Sequence, residues 1–195
     1  MKPLHSVCKV KEDYISPEDF PDEKFRILTI TYDGKCKTEE IRLGKNINFK
    51  KMKVVRTGDL VLSDYNTYHG AIGYITPEFN GSLASSSYTV IKCKKNHDTL
   101  YLWSILRTAE IRSDILSSAI GMGRMTIDWE EIKNVQIPFL KESERKKVAR
   151  NILQSWRADM KANTLLNNIK KELDNKFDVE SEESIKRFIS TKPPK

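Results

Sequence analysis

The strongest constraint in the sequence is a run without glycine or proline from Ser143 to about Asn175. Ser143 is a residue type that caps helices, so the run predicts one long helix that begins there. A helix of about 30 residues is about 45 Å long, which is more than a small sheet domain covers on one side. Its apolar residues form one drifting stripe, which is Val148, Ile152, Trp156, Met160, Leu166, Ile169 and Leu173.

This stripe needs a partner outside the preceding domain, because an amphipathic helix longer than its own core usually pairs with another helix. Trp156 has two interpretations: it packs on its own domain, as aromatics at helical spacing usually do, or it lies in a helix–helix seam. Because the helix outruns the domain, we favour the seam. The stripe is therefore predicted to form a dimerisation helix.

Before Pro138 the pattern is different, with short apolar runs separated by turn residues. Such runs are typical of β-strands, and Asp33-Gly34 is a favoured pair for the tight turn of a hairpin. Several short strands at this spacing favour a compact, largely antiparallel sheet or barrel over a doubly wound sheet. The predicted strands are 25–32, 41–44, 60–62, 70–75, 88–93 and 135–138.

Two helices are predicted between the later strands. Apolar residues at helical spacing extend over residues 99–120, with Asp98 as the N-cap and Gly121 beyond the end. Asp128 stands three residues before Glu131, which predicts a capping box at the start of a short helix.

The predicted fold is α+β: a mixed, mainly antiparallel β domain with packed helices, followed by a long α-helix that forms a coiled coil. The change of pattern predicts three parts of the chain. Residues 1–140 form the globular domain, 141–177 form the long helix, and 178–195 form a C-terminal tail for which a short helix is one interpretation.

Motifs for catalysis are missing from the sequence, which has no GxxxxGK(S/T), GxGxxG, HExxH or GxSxG pattern. Cys93 and His97 are a close Cys/His pair, but a closed zinc site normally needs four ligands, so a structural role is favoured. Glu130 and Glu131 stand at a predicted helix start, where acids interact well with the helix dipole, so capping is favoured over catalysis. We expect no catalytic residue, metal or cofactor in this chain.

The cellular location is inferred from composition. No run approaches the about 20 apolar residues of a membrane span, and the first residues lack the apolar core of a signal peptide. The three cysteines are an odd number without CxxC spacing, which argues against a disulfide framework. We expect a cytoplasmic protein without a membrane partner.

Basic and polar residues favour nucleic-acid binding. The net charge of +7 permits an anionic partner, and Lys50, Lys51, Lys53 and Arg56 cluster before a predicted strand. Lys and Arg suit phosphates through charge and counterion release. Arg124, between glycine and methionine, could contact guanine or a phosphate, or could cap the preceding helix.

A polar and aromatic loop follows the basic cluster. Ser63, Asn66, Tyr68 and His69 carry groups that can meet the edges of bases in a DNA groove. The alternative interpretation is a solvated turn with a β-hairpin tip.

Six segments of the sequence carry a resemblance through their order. They are VRTGDLVLS (55–63), GAIG (70–73), SSYTVI (86–91), YLW (101–103), AIGMGRMTI (119–127) and IKNVQIP (132–138). In this order they resemble the target-recognition domain of a type I restriction-modification DNA specificity subunit, over about residues 4–152. The helix from 143 to 175 matches the family's spacer helix in position.

The resemblance implies an α/β target-recognition domain followed by a long helix. In a full subunit of this family two such units alternate, their helices pack as an antiparallel coiled coil, and each domain reads half of a split DNA site. Methylation and cleavage belong to methyltransferase and restriction subunits, so S-adenosylmethionine, ATP and Mg would belong to those partners. This chain holds one recognition unit, and its segment 137–144 lacks the proline-rich and glutamine residues that often lead into the helix.

The resulting hypothesis is a half-subunit that binds double-stranded DNA and pairs with a second copy through its long helix. Two equivalent domains would read a two-fold related, palindromic split site. The alternatives are a remnant or regulatory module that exchanges helices with a full-length subunit, and a helix-mediated scaffold that binds no DNA. The predicted DNA-binding residues are Lys50, Lys51, Lys53, Arg56, Ser63, Asn66, Tyr68, His69, Ser86, Arg124 and Thr126.

Overall fold

The computed structural model describes residues 1–118 and 126–177 of the 195-residue chain. The chain divides into two compact units, Met1–Arg150 and Asn151–Lys195. The boundary falls inside one helix. Two predicted features, Arg124 and the helix end at Gly121, lie outside the described residues.

Strands and helices of the described residues follow one another along the chain with short connections. The strands are β1 (Lys2–Pro3), β2 (Cys8–Val10), β3 (Tyr14–Ile15), β4 (Lys24–Ile30), β5 (Cys36–Leu43), β6 (Met52–Val54), β7 (Leu60–Ser63), β8 (Ile72–Tyr74), β9 (Leu83–Ala84), β10 (Tyr88–Cys93) and β11 (Gln136–Ile137). The helices are α1 (Asn96–Leu106), α2 (Ala109–Ser117), α3 (Trp129–Ile132) and α4 (Glu142–Phe177).

The strands of the first unit form a four-stranded sheet of order β2-β10-β7-β8 and a five-stranded sheet of order β3-β6-β9-β4-β5. A third, two-stranded sheet joins β1 to β11. The strand pairs are antiparallel except for β4 with β9. The predicted α+β fold with mainly antiparallel strands and a long terminal helix is therefore confirmed.

Strand β7 lies between two parts of the core. Successive side chains of a strand point to opposite faces, and both faces of β7 are covered. Leu60 and Leu62 pack in a cluster that includes Leu102 of α1, while Val61 packs in a cluster that includes Leu28 of β4. This burial on both faces explains why β7 is an unbroken apolar run in the sequence.

Strands β4 and β5 form the hairpin that the pair Asp33-Gly34 predicts. Their register runs from Lys24 opposite Leu43 to Ile30 opposite Cys36. The turn is closed because the Thr31 N–H donates to the Lys35 carbonyl oxygen at 3.0 Å. The hairpin prediction is confirmed.

The single helix predicted over residues 99–120 is wrong, because two helices occupy this region. Thr108 between them has extended backbone angles and occupies the N-cap position of α2, without a capping hydrogen bond from its side chain. Its hydroxyl donates to the Ile105 carbonyl oxygen at 2.9 Å, a local hydrogen bond that competes with continuation of the helix.

The two predicted helix caps of the first unit have different outcomes. Asp98 is not the N-cap of α1, since the helix already begins at Asn96 and Asp98 lies in its first turn. The capping box of α3 is confirmed: the Glu131 N–H donates to the Asp128 carboxylate at 3.2 Å, and the Asp128 N–H donates to the Glu131 carboxylate at 2.9 Å.

Asp98 instead anchors the first turns of α4. The Nε of Arg145 donates to Oδ1 of Asp98 at 2.7 Å, and the two side chains are only 9% and 12% exposed. The Arg145 guanidinium also lies over the Phe139 ring, 3.9 Å from its centroid. Ser143 does not cap α4 as predicted, because the helix begins at Glu142.

Candidate nucleic-acid interface

Several polar segments meet at one end of the first unit. Ser63 at the end of β7 is opposite Tyr88 at the start of β10. The Asp64 N–H donates to the Ser87 carbonyl oxygen at 2.9 Å, and the Ile127 N–H donates to the Asp64 carbonyl oxygen at 2.7 Å. These bonds join the turn after β7, the turn before β10 and the segment before α3.

The tip of the β4–β5 hairpin lies at the same end. Gly34 and Gly70 have positive φ angles of 74° and 100°, which residues with a Cβ rarely adopt. A Cβ on Gly34 would lie 2.8 Å from the Ile72 carbonyl oxygen, and one on Gly70 would lie 2.8 Å from the Tyr32 carbonyl oxygen. The two glycines thus let the two turns touch. We call the four segments 31–35, 63–70, 85–87 and 126–128 the loop end.

The loop end holds a group of the predicted DNA-binding residues, which are Ser63, Asn66, Tyr68, His69, Ser86 and Thr126. His69, Ser86 and Thr126 are exposed, whereas Ser63 is only 5% exposed. The structure therefore brings together residues that are more than 60 positions apart in the sequence.

Local hydrogen bonds shape the turn that carries Asn66 and His69. The Asn66 carbonyl oxygen accepts from the N–H groups of His69 and Ala71, at 3.0 and 3.1 Å. The hydroxyl of Thr67 donates to the Ser63 carbonyl oxygen at 2.6 Å. Among the described residues the side-chain amide of Asn66 has no hydrogen-bond partner, so it can meet a ligand.

Three predicted lysines lie on β6 or directly before it, near this end. Lys53 is opposite Ala84 of β9, which leads directly into the turn 85–87. Its ammonium donates to the Tyr88 carbonyl oxygen, and burial lowers the pKa of Lys53. Lys50 and Lys51 precede β6 and are exposed. They present positive charge beside the loop end.

Asp64 adds negative charge at the loop end. Burial raises the pKa of its carboxyl, whereas the Thr89 hydroxyl, which donates to Oδ1 at 2.9 Å, and the charge of Lys53 oppose the rise. The fixed carboxylate gives the loop end a hydrogen-bond acceptor beside its donors.

Arg56 follows β6 and precedes β7, so it lies towards the end of β7 that is away from Ser63. Its Nε is 3.4 Å from the Asp13 carboxylate. The backbone N–H of Arg56 donates to the Asp59 carboxylate at 2.8 Å. This carboxylate is fully buried and also pairs with Lys11 at 2.9 Å and with Lys92 at 3.3 Å. The Gly-Asp pair before β7 therefore organises a turn, away from the loop end.

Sequence reasoning missed Tyr32, Arg107 and Arg112 at the loop end. The Tyr32 ring centroid is 5.5 Å from that of His69, and one terminal nitrogen of Arg112 donates to the His69 carbonyl oxygen at 3.2 Å. Arg107 lies over the Trp103 ring, 4.6 Å from its centroid. A hairpin-tip aromatic directly before Asp33-Gly34 is the one sequence signal that could have pointed to Tyr32.

Around Cys93 and His97 the described residues hold no group of three or more potential metal ligands. Cys93 is opposite Cys8 in the sheet, and burial raises the pKa of the Cys93 thiol to about 12. His97 lies 3.3 Å from Asp98. Within the described part of the chain no helix is both long and apolar enough to cross a membrane.

Apolar side chains of the second unit are exposed on α4. Met160 is 66% exposed, Leu166 is 63%, Ile169 is 52% and Leu173 is 48%. Helix α4 has 36 residues and is therefore about 54 Å long. The later part of the predicted stripe, from Met160 to Leu173, thus lies on an exposed helical surface, whereas Val148, Ile152 and Trp156 are half-buried.

A single seam follows α4 in alternating steps of four and three residues, the spacing of a coiled coil. It consists of Val148, Ile152, Ser155, Asp159, Ala162, Leu166, Ile169 and Leu173. Trp156 and Met160 of the predicted stripe each lie one position beside it. Asp159 is the charged residue of the seam, and it stands near the middle.

Three solved structures are similar in fold. The HsdS subunit of Thermoanaerobacter tengcongensis has a TM-score of 0.66 at 19% identity, and a chain from a study of complex assembly and conformational transition of the type I restriction-modification system has 0.65 at 19%. The type I S subunit of M. genitalium has 0.58 at 15%. No protein-family model and no curated protein match the sequence.

These structures share the fold of a target-recognition domain with a long helix, as the sequence resemblance implies. They match 88%, 88% and 90% of this chain, but this chain spans only 45%, 45% and 43% of theirs. The chain thus spans about half the length of the specificity subunits whose fold it has.

Proposed function

We propose that the chain is a DNA specificity subunit with a single recognition domain, acting in a type I restriction-modification system. The observation that carries this proposal is the loop end, where donors, acceptors and aromatic rings from four segments meet on the specificity-subunit fold. DNA recognition needs such a mixture, because phosphate contacts position a protein and base-edge contacts give it specificity.

Two kinds of DNA contact follow from the positions of the side chains. Lys50, Lys51 and Lys53 hold the DNA backbone, since their charge lies beside the loop end. Asn66 and His69 meet base edges, since an amide pairs well with adenine and an imidazole both donates and accepts. Arg56 is less suited to such a role, because it lies towards the end of β7 that is away from Ser63 and pairs with Asp13.

The second part of the proposal is that two copies pair through α4. Burying Leu166, Ile169 and Leu173 against a second helix removes apolar surface from water, which favours association. A parallel pair would place Asp159 against Asp159, whereas a fully overlapped antiparallel pair places it opposite Ala162 and places Ile152 opposite Ile169. The antiparallel pair is thus favoured, and its two-fold axis predicts a palindromic split site.

Catalysis in this proposal belongs to other chains. Methyltransferase subunits carry S-adenosylmethionine and modify the site that this chain selects, and restriction subunits use ATP and Mg. The chain supplies binding and orientation alone, and it acts in the cytoplasm.

The test is to supply the chain to the modification subunits of a type I system and to map the methylated sites. We expect methylation at one split sequence, and we expect the double variant Asn66→Ala/His69→Ala to relax or change that sequence. Lys24→Ala, an exposed lysine at the other end of β4, serves as the control and should leave it unchanged. An unchanged sequence in the double variant would overturn the assignment of base contacts.

A second function is suggested by the exposed apolar side chains of α4, which a helix of a full-length specificity subunit would also bury. In this alternative the chain exchanges helices with a full-length specificity subunit and regulates it. Mixing the two proteins and measuring the mass of the complexes separates the cases: a heterodimer supports exchange, and a homodimer alone supports the half-subunit.

A non-DNA scaffold is the remaining alternative. DNA affinity that falls steeply between about 50 and 200 mM salt supports phosphate contacts, because each contact releases counterions. A chain that shows no DNA binding at the lower salt concentration is a scaffold, and the proposal then fails.

A further inference from the structure

Tyr32 is an exposed aromatic at the tip of the β4–β5 hairpin. Its side chain is 62% exposed, which is unusual for a ring of this size on a compact domain. The nearest ring is that of His69, 5.5 Å away between centroids, and the His69 ring is 4.2 Å from that of Tyr68. The three rings form one surface, which we call the aromatic ridge (Tyr32, Tyr68 and His69).

Both turns that carry the ridge are fixed in place. The backbone of Tyr32 approaches Gly70 so closely that a side chain on Gly70 would collide with the Tyr32 carbonyl oxygen. Gly34 is covered by the guanidinium of Arg107, whose Cζ would lie 2.7 Å from a Cβ at that position. The ridge is therefore presented by packed backbone, which lowers the entropy cost of binding a ligand.

Two guanidinium groups lie behind the ridge. Arg112 donates to the carbonyl oxygen of His69, and Arg107 lies against the hairpin tip. Within the described residues the Nε atoms of both arginines are buried without a hydrogen-bond partner. The positive charge of the two guanidinium groups makes the surroundings of the ridge attractive to an anion.

The Asp33 carboxylate near Arg107 neutralises only part of the positive charge of the two guanidinium groups. Burial lowers the pKa of Arg107, and the nearby carboxylate of Asp33 opposes that shift. Asp33 is already engaged by the Thr31 hydroxyl and by Lys35, whose Nζ lies 3.0 Å from its carboxylate. A second anion beside the two guanidinium groups would therefore be electrostatically favoured.

We propose that the aromatic ridge is a phosphate-contact site for duplex DNA, in which the Tyr32 hydroxyl donates to a backbone phosphate and Arg112 is a positioning residue. This inference rests on the proposed DNA-recognition function and adds a contact that the sequence did not predict. The ring of Tyr32 is held by His69, its hydroxyl is the donor, and Arg107 and Arg112 supply the positive field.

The first test compares Tyr32→Phe with the wild-type chain on a duplex that the wild-type chain selects. The phenylalanine keeps the ring against His69 and removes only the hydroxyl. We expect affinity to fall about tenfold, as for loss of one hydrogen bond to a charged group, with the preferred sequence unchanged. Equal affinity of Tyr32→Phe and wild type would overturn the proposal.

Phe20→Ala is the matched control. Phe20 is 41% exposed and precedes β4, whereas Tyr32 follows it, so the two aromatics lie at opposite ends of one seven-residue strand. We expect Phe20→Ala to bind DNA within about twofold of wild type, as surface changes outside an interface do. A loss as large as that of Tyr32→Phe would assign the effect to general surface change, and the proposal would fail.

The role of Arg112 is tested through discrimination between the selected duplex and a scrambled one. Arg112→Ala should lower the ratio of the affinities for the selected and the scrambled duplex at least about fivefold, because the carbonyl oxygen of His69 loses the hydrogen bond that holds the backbone there. Arg112→Lys, which keeps one donor, should restore most of it. An unchanged ratio in folded Arg112→Ala, or no rescue by lysine, would overturn the positioning role.

Failure of this inference differs from failure of the proposed function. If wild-type chain does not discriminate any duplex from a scrambled one, DNA recognition itself fails, and the phosphate site fails with it. If wild-type chain discriminates and Tyr32→Phe binds equally well, only the phosphate site fails.

Discussion

The two ends of helix α4 differ in what covers their side chains. Near its start, Arg145 and Ala149 are 8% and 3% exposed, because the first unit packs around them. Beyond the unit boundary, Met160 and Leu166 are 66% and 63% exposed. The start of the helix therefore belongs to the globular fold, whereas the later turns are exposed among the described residues, as the proposed pairing through α4 requires.

The largest effect is expected where the helix start is held by charge. Asp98→Ala should lower the free energy of unfolding of the first unit by about 3–5 kcal/mol, because it leaves the buried Arg145 guanidinium without its carboxylate. Asp159→Ala, which removes an exposed carboxylate of α4, is the control and should change the free energy of unfolding of the first unit little. Urea unfolding measures both. A loss below about 1 kcal/mol for Asp98→Ala would show that the anchor contributes little.

The second-largest effect is expected when a buried leucine is replaced, and an exposed leucine serves for comparison. Leu62→Ala in β7, where the side chain is 1% exposed, should cost about 2–5 kcal/mol of unfolding free energy, because a cavity remains. Leu166→Ala should leave the unfolding of the first unit within about 0.5 kcal/mol of wild type. Equal losses of unfolding free energy for the two variants, measured in urea, would contradict the difference between β7 and the exposed part of α4.

A seam variant should weaken association without unfolding the first unit. Ile169→Asp is expected to raise the dimer dissociation constant at least about tenfold, because an unpaired carboxylate is costly to bury. Thr164→Asp adds the same charge on the opposite side of α4, where the seam does not lie, and should change little. Sedimentation equilibrium measures both constants, and similar values would contradict the seam.

The smallest effect concerns acid. Hydrogen bonds from Lys146 and Lys95 lower the pKa of Glu142 from 4.5 to about 2. A depressed carboxyl pKa stabilises the fold above the unfolded value of 4.5, and that contribution is lost as the pH falls towards about 2. Glu142→Gln should therefore show a flatter loss of stability over this window in acid titrations followed by circular dichroism. An identical slope would contradict the assignment.

Local features of the fold could be predicted from the sequence, and non-local ones could not. The Asp33-Gly34 turn and the Asp128 capping box each depend on neighbouring residues, and both predictions are confirmed. The role of Asp98 depends on Arg145, 47 positions later, so its assignment as an N-cap was wrong. A sequence pattern typical of an N-cap involves only neighbouring residues, so it does not show that Arg145 lies beside Asp98.

The candidate site shows the same division. Asn66 and His69 are three residues apart in the sequence and share the loop end, as expected for one turn. Arg56 is only three residues from Lys53, yet Lys53 donates to the Tyr88 carbonyl oxygen at the start of β10, whereas Arg56 pairs with Asp13 before β3. Tyr32 contacts His69 because Gly34 and Gly70 allow two separate turns to pack closely. A pattern of neighbouring residues in the sequence does not predict this contact.

The most direct test of the central claim is selection of duplexes from a random pool by wild-type chain and by Ile169→Asp. The claim is that one recognition domain reads DNA and one helix pairs two such domains. Wild type should enrich two inverted half-sites with a fixed spacer, and Ile169→Asp should enrich one half-site alone. A wild-type chain that enriches no sequence, or a variant that still enriches the two half-sites at the same spacing, would contradict it.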